Sequence, residues 1–279
     1  MPERLTAKIF DFFITTRCTM NCELCAAAVP YNPKPCHTPK ENAFQEMKEF
    51  FRIWDYAERV EFIGGEPLMH PQILEIVEKT LKYRDQFERL RITTNATIVP
   101  QDELLELARN CGRYFDFIVD DYGEHSKKLQ PLVEKLEYYG IPYRVDVYHG
   151  ENQRYDGWVH FGDYENYGYS PKEVERVFRS CICPKNAFTC VNDGKAFSCV
   201  YALSLFLVKG ILPEKGEYID LLDDTVSLEE KREIAAGFCA RPIKACHYCK
   251  GFDSENGQRY SAAKQLLKKG ESLLAYKRL

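Results

Sequence analysis

Over the first 161 residues, short apolar runs alternate with longer stretches whose apolar positions recur every three or four residues. The runs at 9–14, 60–63, 90–93, 115–119 and 142–147 are rich in β-branched and aromatic residues and read as strands. Between them, Phe44, Met47, Phe51 and Trp54 share one helical face, as do Ile73, Ile76, Val77 and Leu81. Leu104, Leu107 and Ala108 mark a third helix, and Leu129, Leu132, Val133 and Leu136 a fourth. A shorter run at 158–161 closes the series as a sixth strand. This alternation predicts an α/β fold, a partial (βα)6 TIM-like barrel whose parallel strands are joined by right-handed crossovers.

In such folds chemistry gathers at the C-terminal ends of the strands. Each expected strand exit carries polar residues or glycines. Cys18, Cys22 and Cys25 follow the first strand, Gly64-Gly65-Glu66-Pro67 the second and Thr94-Asn95 the third. Asp120-Asp121 follow the fourth, Tyr148-His149 the fifth and Gly162-Asp163 the sixth. One rim of the barrel therefore collects every candidate group.

The chain has 279 residues, 45% of them hydrophobic, enough for one large domain or a domain with an appendage. A net charge of −4 without a basic block gives no support for nucleic-acid binding. No apolar run reaches membrane-spanning length and no signal peptide opens the sequence, so the expectation is a cytoplasmic protein with no membrane partner. Twelve cysteines then read as metal ligands rather than disulfides. Three lie at 18–25 and seven between 181 and 249. Cys111 falls on the apolar face of the third helix, and Cys36 sits in a proline-rich loop with two readings open, bystander or site residue.

The spacing C-x3-C-x2-C places three thiols on one loop, one fewer than the four that close an iron–sulfur cluster. Half of a zinc site is the plainer reading of a C-x2-C pair. The stretch Cys18-Thr-Met-Asn-Cys22-Glu-Leu-Cys25 resembles the cysteine loop of radical S-adenosylmethionine (SAM) enzymes, with Leu24 where an aromatic residue is usual. That resemblance implies a catalytic [4Fe-4S] cluster held by Cys18, Cys22 and Cys25, with SAM on the remaining iron. It also implies an electron donor of flavodoxin or ferredoxin type. Gly64-Gly65-Glu66-Pro67, about forty residues on, is similar to the family segment that contacts the SAM amino group. The glycines would let backbone approach the ligand, and Glu66 would accept from an ammonium. The following Leu68-Met69-His70-Pro71 fits the family too, with His70 read as a packing residue. Thr93-Thr94-Asn95 resembles the strand-three exit near SAM, with Ala96 in place of a glycine. Asp120 is a candidate for ribose or substrate hydroxyls, against the plainer reading of a solvated turn.

Beyond residue 170 the pattern changes. Val174, Val177 and Phe178 suggest a helix, and Cys183, Cys190 and Cys199 flank the turn Asn192-Asp193-Gly194, the form of a hairpin carrying thiolates. Cys239 and the pair Cys246-His-Tyr-Cys249 follow. Beside a radical SAM barrel this resembles the twitch and SPASM extensions, and the absence of further cysteines after Cys249 points to the one-cluster twitch form. The resemblance implies an auxiliary [4Fe-4S] cluster on Cys181, Cys199, Cys246 and Cys249, with Cys183 as the alternative fourth ligand. Zinc is the alternative metal.

The expected organisation is a barrel over 1–170, an auxiliary-cluster region over 171–260 and a covering helix over 261–279. Tyr148, Tyr155, Trp158, His160 and Asp163 offer either a polar-substrate site or a domain seam. The expected activity is hydrogen abstraction from a small polar substrate, sugar-like or amino-acid-like, or from a peptide, leading to two-electron oxidation. Epimerisation or C–C or C–S bond formation is the enzyme alternative, and a zinc-stabilised binding module the non-enzyme one.

Overall fold

In the computed structural model, which describes residues 4–253 and 256–266, five strands alternate with four helices as the periodicity requires. They are β1 (Thr6–Thr15), α1 (Lys40–Ile53), β2 (Tyr56–Gly64), α2 (Ile73–Thr80), β3 (Phe87–Thr94), α3 (Asp102–Cys111), β4 (Phe115–Asp121), α4 (Leu129–Tyr139) and β5 (Tyr143–Val147). Neighbouring strands among them pair in parallel. One face of the sheet is apolar. Phe10, Phe12, Val60, Phe62, Leu90, Ile92, Phe115 and Phe117 are buried there with Met47, Phe50, Leu105 and Leu132 of the helices. Burying one such side chain stabilises by about 1.5–3 kcal/mol. A one-residue slip would turn the whole set to the other face, so this layer fixes the register.

The sixth parallel strand lies elsewhere than the pattern placed it. Residues 158–161 form no strand. Trp158 makes an isolated antiparallel bridge with Tyr260, the N–H of each donating to the carbonyl of the other at 2.8 Å. After α5 (Pro171–Ser180) and α6 (Ile182–Asn186), β6 (Phe188–Asn192) pairs in parallel with β1 on the side away from β2. The expected hairpin turn forms, with Asp193 and Gly194 both at positive φ, and leads into β7 (Lys195–Phe197). Then come α7 (Val200–Lys209), β8 (Tyr218–Asp220) and α8 (Leu228–Ala236). The sheet has eight strands in the order β5-β4-β3-β2-β1-β6-β7-β8.

The sheet thus runs through the cysteine-rich region, and the division expected at residue 170 falls between two of its strands. Of the covering helix expected over 261–279, residues 261–266 are turn and extended backbone, held by pairing with the cysteine loop; 267–279 lie outside the described residues. Among the described residues no helix is long and apolar enough to cross a membrane.

The second face of the sheet is polar at its middle. Register sets Cys190 beside Asp11, Asp11 beside Glu61, Glu61 beside Arg91, and Arg91 beside Asp116. Arg91 donates twice to Asp116 at 2.7 Å, and Arg59 pairs with Glu61 at 2.7 Å. Burial pushes the Asp11 carboxyl well up, and the charge of Glu61 adds to the shift. Two residues further along the same strands, Phe13, Ile63 and Thr93 line the cavity at the strand exits.

Candidate functional site

The exits of β1 and β2 are joined by backbone. Gly65 N–H donates to Thr15 O at 2.9 Å and Glu66 N–H to Arg17 O at 2.8 Å. A Cβ on Gly64 would stand 2.1 Å from Thr15 O, and one on Gly65 2.0 Å from Arg17 O. The glycine pair is therefore required by the close approach of strand two's exit to the start of the cysteine loop, not only by a ligand.

Glu66 is fully buried and ties strand two's exit to strand three's. Its Oε1 accepts from Leu68 N–H at 3.0 Å and from the Thr94 hydroxyl at 2.9 Å, and its Oε2 accepts from Asn95 N–H at 2.8 Å. Burial raises its carboxyl to about 7 against those three donors. Neither Glu66 nor Pro67 lines the cavity. Glu66 is held by Leu68, Thr94 and Asn95, and Pro67 is buried at the start of a short turn. His70 packs as expected, its Nδ1 accepting from Gln72 N–H at 3.1 Å, which leaves Nε2–H to donate to Thr38 O at 2.8 Å.

The other rim residues converge. A cavity of about 300 Å³ is lined by Cys18, Cys22, Cys25, Gly64, Gly65, Thr94, Asn95 and Asp120. Donors point at two of the sulfurs: Met20 N–H and Asn95 Nδ2 at Cys18 Sγ, each 3.4 Å, and Gln265 Nε2 at Cys22 Sγ, 3.1 Å. Burial raises all three thiols, Cys18 to about 12. Sulfurs ringed by donors suit thiolate ligands, which such bonds stabilise and a bound cation deprotonates.

Asp120 and Asp121 separate. Asp120 faces the cavity, where its Oδ2 accepts from the Tyr122 hydroxyl at 3.1 Å; burial raises its carboxyl to about 8. Asp121 turns away to accept from Gly123 N–H at 2.9 Å and pairs with His149 at 3.0 Å. The aromatic stretch also divides. Tyr148, Tyr155, Trp158 and Phe161 line the cavity, whereas Tyr164 stacks on Tyr201 at 5.4 Å and Tyr167 lies beside Tyr169. Leu24 lines the cavity, and no lysine, arginine or histidine does so among the described residues. The sequence reading missed Phe13, Tyr122, Val200 and Phe252 as lining residues. Tyr122, two residues past Asp120, was the most accessible of these. Cys36 is exposed and lies outside the cavity.

A second, apolar cavity is lined by six cysteines: Cys181, Cys183, Cys199, Cys239, Cys246 and Cys249. Backbone N–H groups donate to three of them, Phe252 to Cys181 at 3.4 Å, Tyr201 to Cys199 at 3.3 Å and Gly251 to Cys249 at 3.2 Å. The Cys183 thiol lies between Cys181 and Cys199 and lowers both. Cys239 donates to Ser198 O at 3.4 Å, and Cys190 is apart, buried beside Asp11. Among the described residues no three His, Cys, Asp or Glu groups close on a single ion position; the thiols surround a space instead. Cys199 and Gly251 line this second cavity while their chain neighbours Val200 and Phe252 line the first, so the two spaces share a wall.

Comparison with known proteins agrees with this geometry. Residues 12–141 match the model of the radical SAM superfamily. Protein YfkA of Bacillus subtilis is 30% identical over 118 residues, covering 38% of this chain and 31% of YfkA. A GTP 3',8-cyclase of Campylobacter jejuni is 29% identical over 126 residues, covering 44% of this chain and 37% of the cyclase. The matched stretch thus spans about a third of these relatives. In fold, the chain is similar to BtrN, solved in complex with S-adenosylmethionine and 2-DOIA. The TM-score is 0.60 at 15% identity, over 95% of this chain and all of BtrN. It is also similar to anSMEcpe, solved with S-adenosylmethionine and the Cp18Cys peptide. There the TM-score is 0.51 at 13% identity, over 99% of this chain and 95% of that one. At these identities the likeness is one of fold.

Proposed function

We propose that this chain is a radical SAM enzyme that abstracts hydrogen from a small polar substrate and completes a two-electron oxidation. A bound [4Fe-4S] cluster, given one electron by a flavodoxin- or ferredoxin-type donor, would supply the reductive cleavage of SAM that yields methionine and a 5′-deoxyadenosyl radical. Cys18, Cys22 and Cys25 would hold that cluster. The backbone of Gly64 and Gly65, the Thr94–Asn95 exit and Asp120 bind SAM along the same wall, and Glu66 fixes that wall from behind. Tyr148, Tyr155, Trp158 and Phe252 complete the lining and would exclude water from the reacting carbon. The observation that carries this reading is the opening of three thiols, two of them hydrogen-bonded at sulfur, onto one cavity with the other strand-exit groups.

Cys181, Cys199, Cys246 and Cys249 would hold an auxiliary [4Fe-4S] cluster, the group that accepts the second electron. The backbone donors on three of these sulfurs support that ligand set, and the two cavities meet at the neighbours Cys199–Val200 and Gly251–Phe252. Oxidation is favoured over epimerisation because Cys183, Cys190 and Cys239, the thiols free to return a hydrogen atom, do not line the substrate cavity. The functional regions are then the barrel over 1–170 and the auxiliary region over 171–260. The proposal is tested by reconstituting the protein anaerobically, adding SAM and a reductant, and measuring 5′-deoxyadenosine. Formation that is lost on replacing Cys18, Cys22 and Cys25 with alanine is expected. A reconstituted, iron-loaded protein that leaves SAM intact would overturn the reading.

A further inference from the structure

The last described segment of the chain returns to the cysteine loop. Tyr260 is bridged to Trp158, and Gln265 is bridged to Cys22. Glu23 N–H donates to Lys264 O at 2.8 Å, Leu266 N–H to Asn21 O at 2.9 Å, and Asn21 Nδ2 to Leu266 O at 3.1 Å. Ala263, 1% exposed, is packed with Met20 and Cys22. This strap joins the loop 21–23, more than 230 positions earlier, to the wall of the substrate cavity.

The Gln265 amide is fixed in one orientation. Its Oε1 accepts from Asn21 N–H at 2.7 Å. Its Nε2 donates to Ala263 O at 2.6 Å and to Cys22 Sγ at 3.1 Å. Flipping the amide would set donor against donor at Asn21 and acceptor against acceptor at Ala263, so its N–H points at the sulfur by necessity. Cys22 is buried, and in a dry setting such a bond is strong. A hydrogen bond to a ligating sulfur draws off negative charge. The reduced form of a cluster carries one more electron and gains more from that bond than the oxidised form.

We infer that Gln265 is a positioning residue that raises the reduction potential of the cluster held through Cys22, making the C-terminal strap part of the redox centre. This rests on the proposed function, in which Cys22 is a ligand.

The experiment is an anaerobic redox titration followed by electron paramagnetic resonance on reconstituted full-length protein. It tracks the signal that changes on adding SAM, in wild type and in Gln265→Leu, Gln265→Glu and Lys264→Ala. Gln265→Glu keeps an acceptor for Asn21 and carries the test should the leucine variant lose iron. Both Gln265 variants are expected to move the midpoint to more negative potential, by about tenfold in the one-electron equilibrium, or about 59 mV. Lys264→Ala removes the ion pair of the exposed Lys264 ammonium with the mostly buried Glu23 and leaves the bond to sulfur in place, so it is expected to move the midpoint by less than either Gln265 variant. A wild-type midpoint in a Gln265 variant with full iron would overturn the inference, as would an equal shift in Lys264→Ala. A wild-type protein with no SAM-responsive signal would overturn the proposed function instead.

Discussion

Replacing Glu46 with glutamine tests how the cysteine-bearing hairpin is joined to the barrel. Glu46 lies on α1, is 1% exposed, and its Oε1 accepts from Gly194 N–H in the β6–β7 turn at 2.7 Å. Its Oε2 is buried without a hydrogen-bond partner. Burial raises its carboxyl from 4.5 to about 7, the Gly194 bond opposing the shift. Below pH 4.5 the group is neutral in both folded and unfolded chains and costs nothing. As pH rises, the unfolded chain ionises first, so the folded state loses stability until the group ionises in place near pH 7. The full loss spans about 2.5 pH units at about 1.36 kcal/mol each, roughly 3 kcal/mol, and about 1 kcal/mol of it falls between pH 6 and pH 8. Glutamine keeps an oxygen for Gly194 and has no charge to bury. Anaerobic urea unfolding followed by circular dichroism should therefore show wild type losing about 1 kcal/mol more than Glu46→Gln between pH 6 and pH 8. The other carboxyls raised by burial, among them Asp11, Glu66 and Asp120, are present in both proteins and cancel. Equal pH dependence in the two proteins would refute the placement of Glu46 under the turn.

Gly65→Ala should be far more damaging than its size suggests, because the new methyl would meet Arg17 O at 2.0 Å and force the cysteine loop off strand two's exit. Iron at the first site should be lost, and a variant that loads iron normally would contradict the close approach. Cys249→Ala should lose about four irons, the content of one [4Fe-4S] cluster, yet still form 5′-deoxyadenosine. Loss of SAM cleavage as well would mean that the two sites act as one unit.

The barrel half was legible because its signals are local. Alternating and 3.6-residue periodicities report which face of each element is buried, and β1 to β5 appear where those periodicities stand. The sixth strand was not legible in this way. Phe188–Asn192 pairs with β1, about 180 positions earlier, and its five residues are too few, with a polar Thr189 among them, to stand out as a strand by local pattern. The run at 158–161 has strand composition but spends its backbone on Tyr260, a partner no local pattern reveals. Cysteine spacing located both thiol groups, since a loop that holds a metal must bring its ligands close in sequence. It could not show that Cys183 and Cys239 share the second cavity while Cys190 does not. Glu66 reads from the sequence as a ligand contact because a carboxylate at a strand exit offers lone pairs. Only the fold shows that three of its roughly four acceptor sites are used by Leu68, Thr94 and Asn95. Gln265 was invisible for the same reason, being one polar residue in a stretch whose period reads as helical.

The most direct test of two separate cluster sites is iron and acid-labile sulfide per chain after anaerobic reconstitution. It is made on wild type and on the Cys18/Cys22/Cys25→Ala triple variant. The account predicts about eight irons falling to about four, one [4Fe-4S] cluster lost and one kept. Little iron in either protein would contradict it.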